Sequence, residues 1–208
     1  VDEAARRGAV LAVGHTERYN PAVRAALPLV TAPRFVEVHR LGTFPERSLD
    51  IDVVLDLMIH DLDVVLATVR SPVAAIEAVG VPVLTDRVDI ANARLRFASG
   101  CIANLTASRI SRDRVRKIRF FQPDAYVSID CAAREAEAYR LVRGDGAARP
   151  TIEGGRLLVD PGEPLEAELA DFVRAARERG RPAVAGEDGL RALELAEAVA
   201  AAIRAAGG

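Results

Sequence analysis

The feature that most constrains the fold is a block of short alternating segments between residues 73 and 159. Each segment runs four to eight residues, is rich in β-branched or aromatic side chains and lies between turn signals. Ser99 and Gly100 mark the clearest hairpin turn, and Gly144, Asp145 and Gly146 mark another. Because the connections are short, consecutive strands are expected to pair in an antiparallel or mixed sheet. The predicted strands are residues 74–81, 90–97, 101–108, 115–121, 126–131, 137–142 and 156–159.

Helical patterns flank this block in the sequence. Residues 53–70, 164–179 and 188–206 repeat apolar side chains at helical spacing, and Gly180 ends the second of these helices. Helices on both sides of a continuous run of strands are typical of an α+β domain. We therefore expect a large, mostly antiparallel sheet with helices on one face.

The predicted strands carry more apolar side chains than one covered face needs. An apolar face that is left open is usually covered by another subunit, so the pattern predicts a homo-oligomer that associates through the open face of the sheet. The residues on which this expectation rests are Val79, Val81, Leu95, Phe97, Leu105, Ile118 and Phe120.

The chain begins with a helical pattern at residues 2–7 and a short apolar strand at residues 9–13. A polar loop at residues 14–20 follows, and Asn20 with Pro21 is typical of an N-cap and first helical turn, here of a helix that extends to about residue 30. Residues 34–44 alternate as a strand. A glycine at a strand end, followed by polar residues and a capped helix, is the usual geometry of a binding crevice, although an ordinary polar connection has the same pattern.

Composition excludes several classes of function. The 208 residues include 28 basic and 30 acidic side chains, so the chain lacks the basic excess that nucleic-acid binding requires. Half of the residues are apolar, but no apolar run reaches the roughly 18 residues needed to cross a bilayer. We expect a soluble, cytoplasmic protein that binds neither nucleic acid nor a membrane. Cys101 and Cys131 have no metal-site spacing and are expected to be buried as small apolar residues.

The helix predicted at residues 53–70 carries a polar stripe of Asp56, His60 and Asp63 opposite its apolar side. Asp56 lies four residues before His60, so its carboxylate can hold the imidazole, fix its tautomer and raise its pKa. A histidine held in this way can act as a general acid or base, whereas a solvated acidic face would have no such role. Asp61 falls among the apolar positions and needs a partner such as a backbone amide or an arginine.

Other kinds of active site receive less support. The metal site of an HD-type phosphohydrolase requires an all-helical fold and more histidines than the three present, so we expect no metal. No Gly-x-Ser-x-Gly elbow exists, and neither cysteine has a neighbouring base in the sequence. The chain also contains no Gly-x-Gly-x-x-Gly between a strand and a helix. We therefore expect this chain alone to bind neither NAD nor NADP.

The chain resembles the glucose-fructose oxidoreductase, inositol dehydrogenase and rhizopine catabolism family (Gfo/Idh/MocA) over nearly its whole length. Residues 10–21 (VLAVGHTERYNP) are similar to the last strand of the family's nucleotide-binding domain and the crossing into its second domain. Residues 54–63 (VLDLMIHDLD) are similar to its Asp-x-x-x-His helix, and residues 165–172 and 186–195 to its two closing helices.

This resemblance implies a division of the chain into two parts. Residues 1–16 would be a remnant of a dinucleotide-binding domain, and residues 17–208 a substrate-binding and oligomerisation domain. The remnant strand at residues 9–13 would lack its sheet neighbours, so we expect it to be mobile or to pair with another copy of the chain.

The family's members are nicotinamide-dependent dehydrogenases of sugars, cyclitols and sugar nucleotides. By resemblance, His60 is the catalytic acid/base that takes the proton of a substrate hydroxyl as hydride leaves for the nicotinamide, and Asp56 orients it. The resemblance also implies NAD or NADP as the cofactor of the full-length protein, and it identifies no cofactor-binding residue in this chain. An arginine pairs well with phosphate or carboxylate. The residues implied to line the substrate are Arg18, Asn20, His39, Arg40 and Arg109.

The chain departs from the family pattern at three places. The glycine loop is missing, and so is the Glu-Lys-Pro segment whose lysine works beside the histidine. Lys117, the only lysine, lies in a predicted strand. Residues 51–53 (IDV) stand where the family usually has glycines.

The leading interpretation is the substrate domain of a sugar or sugar-nucleotide dehydrogenase, incomplete for catalysis as given. The segments GHTERYNP and TASRIS favour a sugar nucleotide such as a UDP-N-acetylhexosamine. The alternative is a non-catalytic, stand-alone binding or oligomerisation module. An upstream coding region with Gly-x-Gly-x-x-Gly and Glu-Lys-Pro would favour the enzyme.

Overall fold

A computed structural model of the chain describes residues 1–44, 49–143 and 149–207. Within these ranges eight strands form one sheet in the order β2-β3-β4-β1-β5-β6-β7-β8. All neighbours are antiparallel except β1 and β4, which run parallel. The strands are β1 (Phe35–Leu41), β2 (Val73–Val81), β3 (Ile90–Phe97), β4 (Ile102–Ser108), β5 (Val115–Phe121), β6 (Ala125–Asp130), β7 (Glu135–Val142) and β8 (Thr151–Arg156).

The helices pack on one face of this sheet: α2 contacts β6 and β7, α3 contacts β1, and α5 contacts β2 and α3. A 3-10 turn at Thr16–Tyr19 precedes α2, and a π-helical turn at Val54–Met58 leads into α3. The predicted α+β fold with a large, mostly antiparallel sheet and helices on one face is confirmed. The helices are α1 (Asp2–Arg7), α2 (Pro21–Ala26), α3 (Ile59–Val69), α4 (Pro164–Glu178) and α5 (Gly186–Ala205).

Strand alternation divides the side chains of the sheet between a covered and an open face. In β1, Val36, Val38 and Arg40 are buried beneath the helices, whereas Glu37 and His39 lie on the open face. The covered face forms one continuous core with α2, α3 and α5. No helix of the described residues is long and apolar enough to cross a membrane.

The open face is less apolar than the sequence predicted. Of the seven residues named for it, only Val79 and Val81 are exposed, at 55% and 46%. The other five alternate onto the covered face and are buried; they are Leu95, Phe97, Leu105, Ile118 and Phe120. The middle of the open face instead carries polar pairs, which are Asn92 with Thr106, Arg94 with Asn104 and Arg119 with Glu37.

Six of the seven strands predicted in the block agree with the structure to within two residues. The seventh prediction, residues 156–159, is wrong, because β8 occupies Thr151–Arg156. Gly154 lies within this strand, and a Cβ at this position would lie 2.0 Å from the carbonyl oxygen of Ala138, so the neighbouring backbones are too close for a side chain. The turn predicted at Gly144, Asp145 and Gly146 lies outside the described residues.

Residues 9–13 pair within the chain, which corrects the expectation of a mobile segment or a pairing with a second copy. Ala12 forms an antiparallel bridge with Ala185, just before α5. The amide of Val13 donates to the carbonyl of Val184 at 3.2 Å, and the amide of Gly186 donates to the carbonyl of Leu11 at 3.0 Å. The start of the chain is therefore fixed against the entry of α5. The predicted buried state of Cys101 and Cys131 is confirmed.

A buried ion pair closes the β2–β3 end of the sheet. Asp89 is fully buried and accepts hydrogen bonds from the backbone amides of residues 83–85 at 2.7–2.9 Å. Arg109 donates from Nε to Asp89 at 2.8 Å and from Nη1 to the carbonyl of Ile51, also at 2.8 Å. Burial would raise the pKa of Asp89, but the amides and Arg109 outweigh it and hold that pKa well below its usual value.

Replacing Asp89 with Asn should lower the free energy of unfolding at pH 7 by roughly 3 kcal/mol, because the buried ion pair between Asp89 and Arg109 is lost. A depressed carboxyl pKa stabilises the fold above the unfolded pKa of about 4, and this contribution is lost as the pH falls. The difference between variant and wild type should therefore shrink below about pH 4. Urea denaturation measures both effects.

Asp113→Asn, at an exposed position, is the matched control and should change the free energy of unfolding by less than about 0.5 kcal/mol. A similarly small change for Asp89→Asn would show that the pair does not stabilise this end of the sheet.

Candidate functional site

The loop at residues 14–20 is anchored by Asn20, which is 3% exposed. Its Oδ1 accepts from the amide of Ala22 at 3.1 Å, so the residue caps α2 as predicted. Its Nδ2 donates at 2.9 Å to Glu17 Oε1 and to the carbonyl of Cys131. Since these contacts use both the oxygen and the nitrogen of the side-chain amide, we assign Asn20 a structural role.

Arg40 ties this loop to α3 and to the sheet. From β1 it makes two hydrogen bonds of 2.7 Å to the carboxylate of Asp61, and its Nη2 also donates to Glu17 Oε2 at 2.7 Å. The arginine is 5% exposed and Asp61 is 2% exposed. The prediction that Asp61 needs a partner is thus confirmed, and the partner is Arg40. Through Asp61 and Glu17, Arg40 connects β1 to α3 and to the loop.

His60, in the first turn of α3, forms its hydrogen bond with His15. The two Nδ1 atoms are 3.2 Å apart, and the rings meet edge to face with centroids 5.3 Å apart. His15 is buried, at 4% exposure, and His60 is partly exposed. His15 lies 45 residues from His60 in the sequence, and no local pattern signals the contact between them.

The expectation that Asp56 holds His60 by a hydrogen bond is wrong, and the pKa of His60 is lowered rather than raised, although the charge of Asp56 acts in the expected direction. Within the described residues Asp56 makes no hydrogen bond to His60, because it lies in the π-helical turn Val54–Met58, where a four-residue spacing no longer stacks side chains. The pKa of His60 is lowered, first by burial and then by Arg40, and the charges of Asp61, Glu17 and Asp56 oppose this less strongly. Near neutral pH His60 is therefore an uncharged base.

Asp63, one turn further along α3, is 2% exposed and lies 3.4 Å from Nη1 of Arg18. Burial raises the pKa of Asp63 to about 6, although Arg18 opposes the rise. Arg18 also donates to the carbonyl of Ala183 at 3.1 Å. It reaches a surface cavity of about 670 Å³ that is also lined by Arg70, Arg181, Arg191 and Asp188. The carboxylate of Asp188 pairs with both Arg181 and Arg191.

Helix α4 covers the other side of the loop. The hydroxyl of Tyr19 donates to Asp171 Oδ2 at 2.9 Å, and the same oxygen accepts from the amide of Ala183 at 2.7 Å. Glu168, one turn earlier in α4, lies beside Gly14 and has a buried Oε2 with no hydrogen-bond partner among the described residues. The loop is thus enclosed by α2, α3 and α4.

Two predicted substrate residues lie elsewhere. His39 alternates onto the open face of the sheet, beside Lys117 and Thr106 on the neighbouring strands, whereas His60 lies on the covered side. Arg109 belongs to the Asp89 network and is 1% exposed. We therefore place neither residue at the candidate site, which comprises His15, Arg18, Asp56, His60 and Asp63.

The segment at residues 9–13 leads into a 3-10 turn. At the start of α2 the amide of Ala22 donates to Asn20 Oδ1, and just before α5 the amide of Ala185 donates to Asp188 Oδ2. No cluster of three or more metal-ligating side chains occurs in the described ranges.

A family model described as the GFO/IDH/MocA C-terminal domain matches residues 33–127, which include β1 and α3. UDP-N-acetylglucosamine 3-dehydrogenase of Acidithiobacillus ferrooxidans is 36% identical over 203 residues, covering 97% of this chain and 65% of the relative. A solved structure of that enzyme superposes with a TM-score of 0.89 and covers 98% of this chain. The chain thus spans about two thirds of the length of this relative.

More distant solved structures share the fold. Levoglucosan dehydrogenase in complex with NADH and levoglucosan is 16% identical, with a TM-score of 0.84 and coverage of 98% of this chain and 66% of its own. Aldose-aldose oxidoreductase from Caulobacter crescentus is 22% identical, with a TM-score of 0.82 and coverage of 99% and 65%. These distant structures show the fold alone, whereas the similarity to the Gfo/Idh/MocA family rests on the C-terminal domain model at residues 33–127 and on the 36% identical relative.

Proposed function

We propose that this chain supplies the substrate side and the acid/base residue of a nicotinamide-dependent oxidoreductase that oxidises a secondary alcohol of a sugar, cyclitol or sugar nucleotide. Residues 17–208 form its substrate-binding and oligomerisation domain. The observation that carries the proposal is His60 itself: a partly exposed imidazole, kept uncharged and bonded through Nδ1 to a buried histidine.

The chemistry assigned to this chain is a proton transfer. An uncharged His60 accepts the proton of the substrate hydroxyl at Nε2, which has no hydrogen-bond partner among the described residues. In the reverse direction the imidazolium returns that proton to the carbonyl oxygen. Asp56 acts on His60 through its charge, which favours the protonated form. A nicotinamide cofactor, held by residues other than those described, would supply the hydride acceptor.

The arginines beside the site support a sugar nucleotide as the substrate. Arg18 connects Asp63 to the cavity that Arg70, Arg181 and Arg191 line. Ala67, on the wall of that cavity, lies seven residues after His60 on α3, which corresponds to about 10 Å along the helix. A diphosphate held there would leave its sugar within reach of His60. The 36% identical relative is named for UDP-N-acetylglucosamine, a substrate of this class.

In a protein that joins this chain to a nucleotide-binding domain, His60→Ala should lower turnover by roughly 10² to 10⁴, the usual contribution of a positioned acid or base. Asp56→Asn should cost less, because Asp56 makes no hydrogen bond to His60 in the described structure. Cofactor reduction measured by absorbance reports turnover, and urea denaturation reports whether each variant is folded.

His39→Ala provides the comparison on the opposite face of the sheet and should change turnover less than about threefold. A loss of less than about threefold for His60→Ala itself would remove that residue from the reaction and favour the non-catalytic module.

We also propose that the open face mediates homo-oligomerisation. Its centre is polar, but Phe35, Phe121, Tyr126 and Tyr139 form a row of ring contacts across β1, β5, β6 and β7 with centroid separations of 5.1–6.4 Å. Phe121 is 38% exposed. Partly exposed aromatic rows of this kind are typical of interfaces between subunits.

Sedimentation at micromolar concentration should therefore show an oligomer, and Phe121→Asp should shift it toward monomer. Leu158→Asp, at a side chain that is 93% exposed outside the sheet, is the control and should leave the oligomer intact. A wild-type chain that sediments only as a monomer would contradict this part of the proposal.

A further inference from the structure

The contact between His15 and His60 joins the same ring atom on both sides, Nδ1 to Nδ1 at 3.2 Å. Two lone pairs repel, and so do two N–H groups, so one ring must donate the hydrogen and the other must accept it. The direction of this single hydrogen bond fixes the tautomer of both uncharged rings. It therefore also decides whether His60 Nε2 carries a hydrogen or a free lone pair.

His15 is suited to remain uncharged. It is 4% exposed, and burial, His60 and Arg18 lower its pKa to about 4, against a smaller opposing effect of Asp188. At neutral pH it therefore offers one lone pair and one N–H. Its amide donates to the carbonyl of Val13 at 2.9 Å, so the ring is held on a backbone that is itself fixed to the entry of α5.

Three buried polar atoms around the loop have no hydrogen-bond partner among the described residues: His15 Nε2, Asp63 Oδ2 and Glu168 Oε2. Asp63 is held by Arg18, three residues after His15, and Glu168 lies beside Gly14. Carboxylate oxygens accept and do not donate, so a water that joins either of them to His15 would favour an N–H at His15 Nε2. The lone pair of His15 is then at Nδ1, toward His60.

We propose that His15 is a positioning residue for His60: its Nδ1 accepts the hydrogen on Nδ1 of His60, which leaves the lone pair of His60 at Nε2, where the substrate proton is taken up. This inference rests on the proposed function, because it specifies how His60 is prepared for its role. Here an uncharged histidine accepts the hydrogen bond from Nδ1 of the catalytic histidine, which a carboxylate accepts in the better-known catalytic pairs.

The proton balance of the step is simple. The proton of the substrate hydroxyl moves to His60 Nε2, and the ring becomes an imidazolium that still donates from Nδ1 to His15. A hydrogen bond from a charged donor is stronger than one from a neutral donor, so His15 stabilises the protonated ring more than the neutral ring. The charged groups that also act on His60 are Arg40, Asp61, Glu17 and Asp56. Their effects are unchanged when His15 alone is replaced.

Long-range ¹H–¹⁵N NMR of the 208-residue chain tests the inference directly, because each histidine tautomer has a distinct pattern and the chain has only three histidines. His39→Gln identifies the signals of the third ring. In the wild type we expect His60 as the Nδ1–H tautomer and His15 as the Nε2–H tautomer. Replacing His15 with Phe should convert His60 to the Nε2–H tautomer and lower its pKa further, by about one unit. His15→Asn, whose amide oxygen can replace Nδ1, should restore the Nδ1–H tautomer.

A wild-type spectrum with His60 as the Nε2–H tautomer would overturn the inference, even if neither variant folds. An unchanged tautomer and pKa of His60 in a folded His15→Phe variant would do the same. Since these spectra need neither substrate nor cofactor, they are independent of the turnover of His60→Ala, which tests the proposed function. In the joined enzyme, His15→Phe should reduce kcat about tenfold with little change in KM, and His15→Asn should restore it.

Discussion

The candidate site depends on one buried charge, the guanidinium of Arg40. It projects from β1 into the layer between sheet and helices, where an unpaired charge would be very costly, and two carboxylates neutralise it. Asp61 comes from α3 and Glu17 from the loop before α2, so a single side chain fixes the strand, the helix and the loop relative to one another. His60 is adjacent to Asp61, and His15 lies two residues before Glu17. The meeting of the two histidines follows from this arrangement.

The same arginine also sets the chemistry of His60. Its positive charge adds to burial in lowering the pKa of the imidazole, and the carboxylates that neutralise it limit that effect. A second buried arginine, Arg109, pairs with Asp89 at the β2–β3 end of the sheet. Two of the residues implied to line the substrate, Arg40 and Arg109, thus belong to buried ion pairs within the protein. The family resemblance implied that both residues bind substrate, but both are buried in ion pairs within the protein.

The elements of the fold could be predicted from the sequence because periodicity and turn residues are local signals. The strands at residues 90–97 and 115–121 were predicted with the bounds that the structure shows. The face on which a side chain lies was harder to predict. His39 and Arg40 are neighbours in the sequence but lie on opposite faces, and only the packing of the helices decides which face is covered. The π-helical turn at Val54–Met58 has no sequence signature, so the spacing of Asp56 and His60 gave a contact that the structure lacks. The contact of His15 with His60 spans 45 residues and depends on tertiary packing.

The central claim is that His60 Nε2 receives the proton of a substrate hydroxyl. The most direct test is a crystal structure of this chain, joined to a nucleotide-binding domain, with a nicotinamide nucleotide and UDP-N-acetylglucosamine bound. We expect a sugar hydroxyl within about 3 Å of His60 Nε2, with the diphosphate among the arginines beside Arg18. A sugar bound with no hydroxyl near His60, or on the open face beside His39, would contradict it.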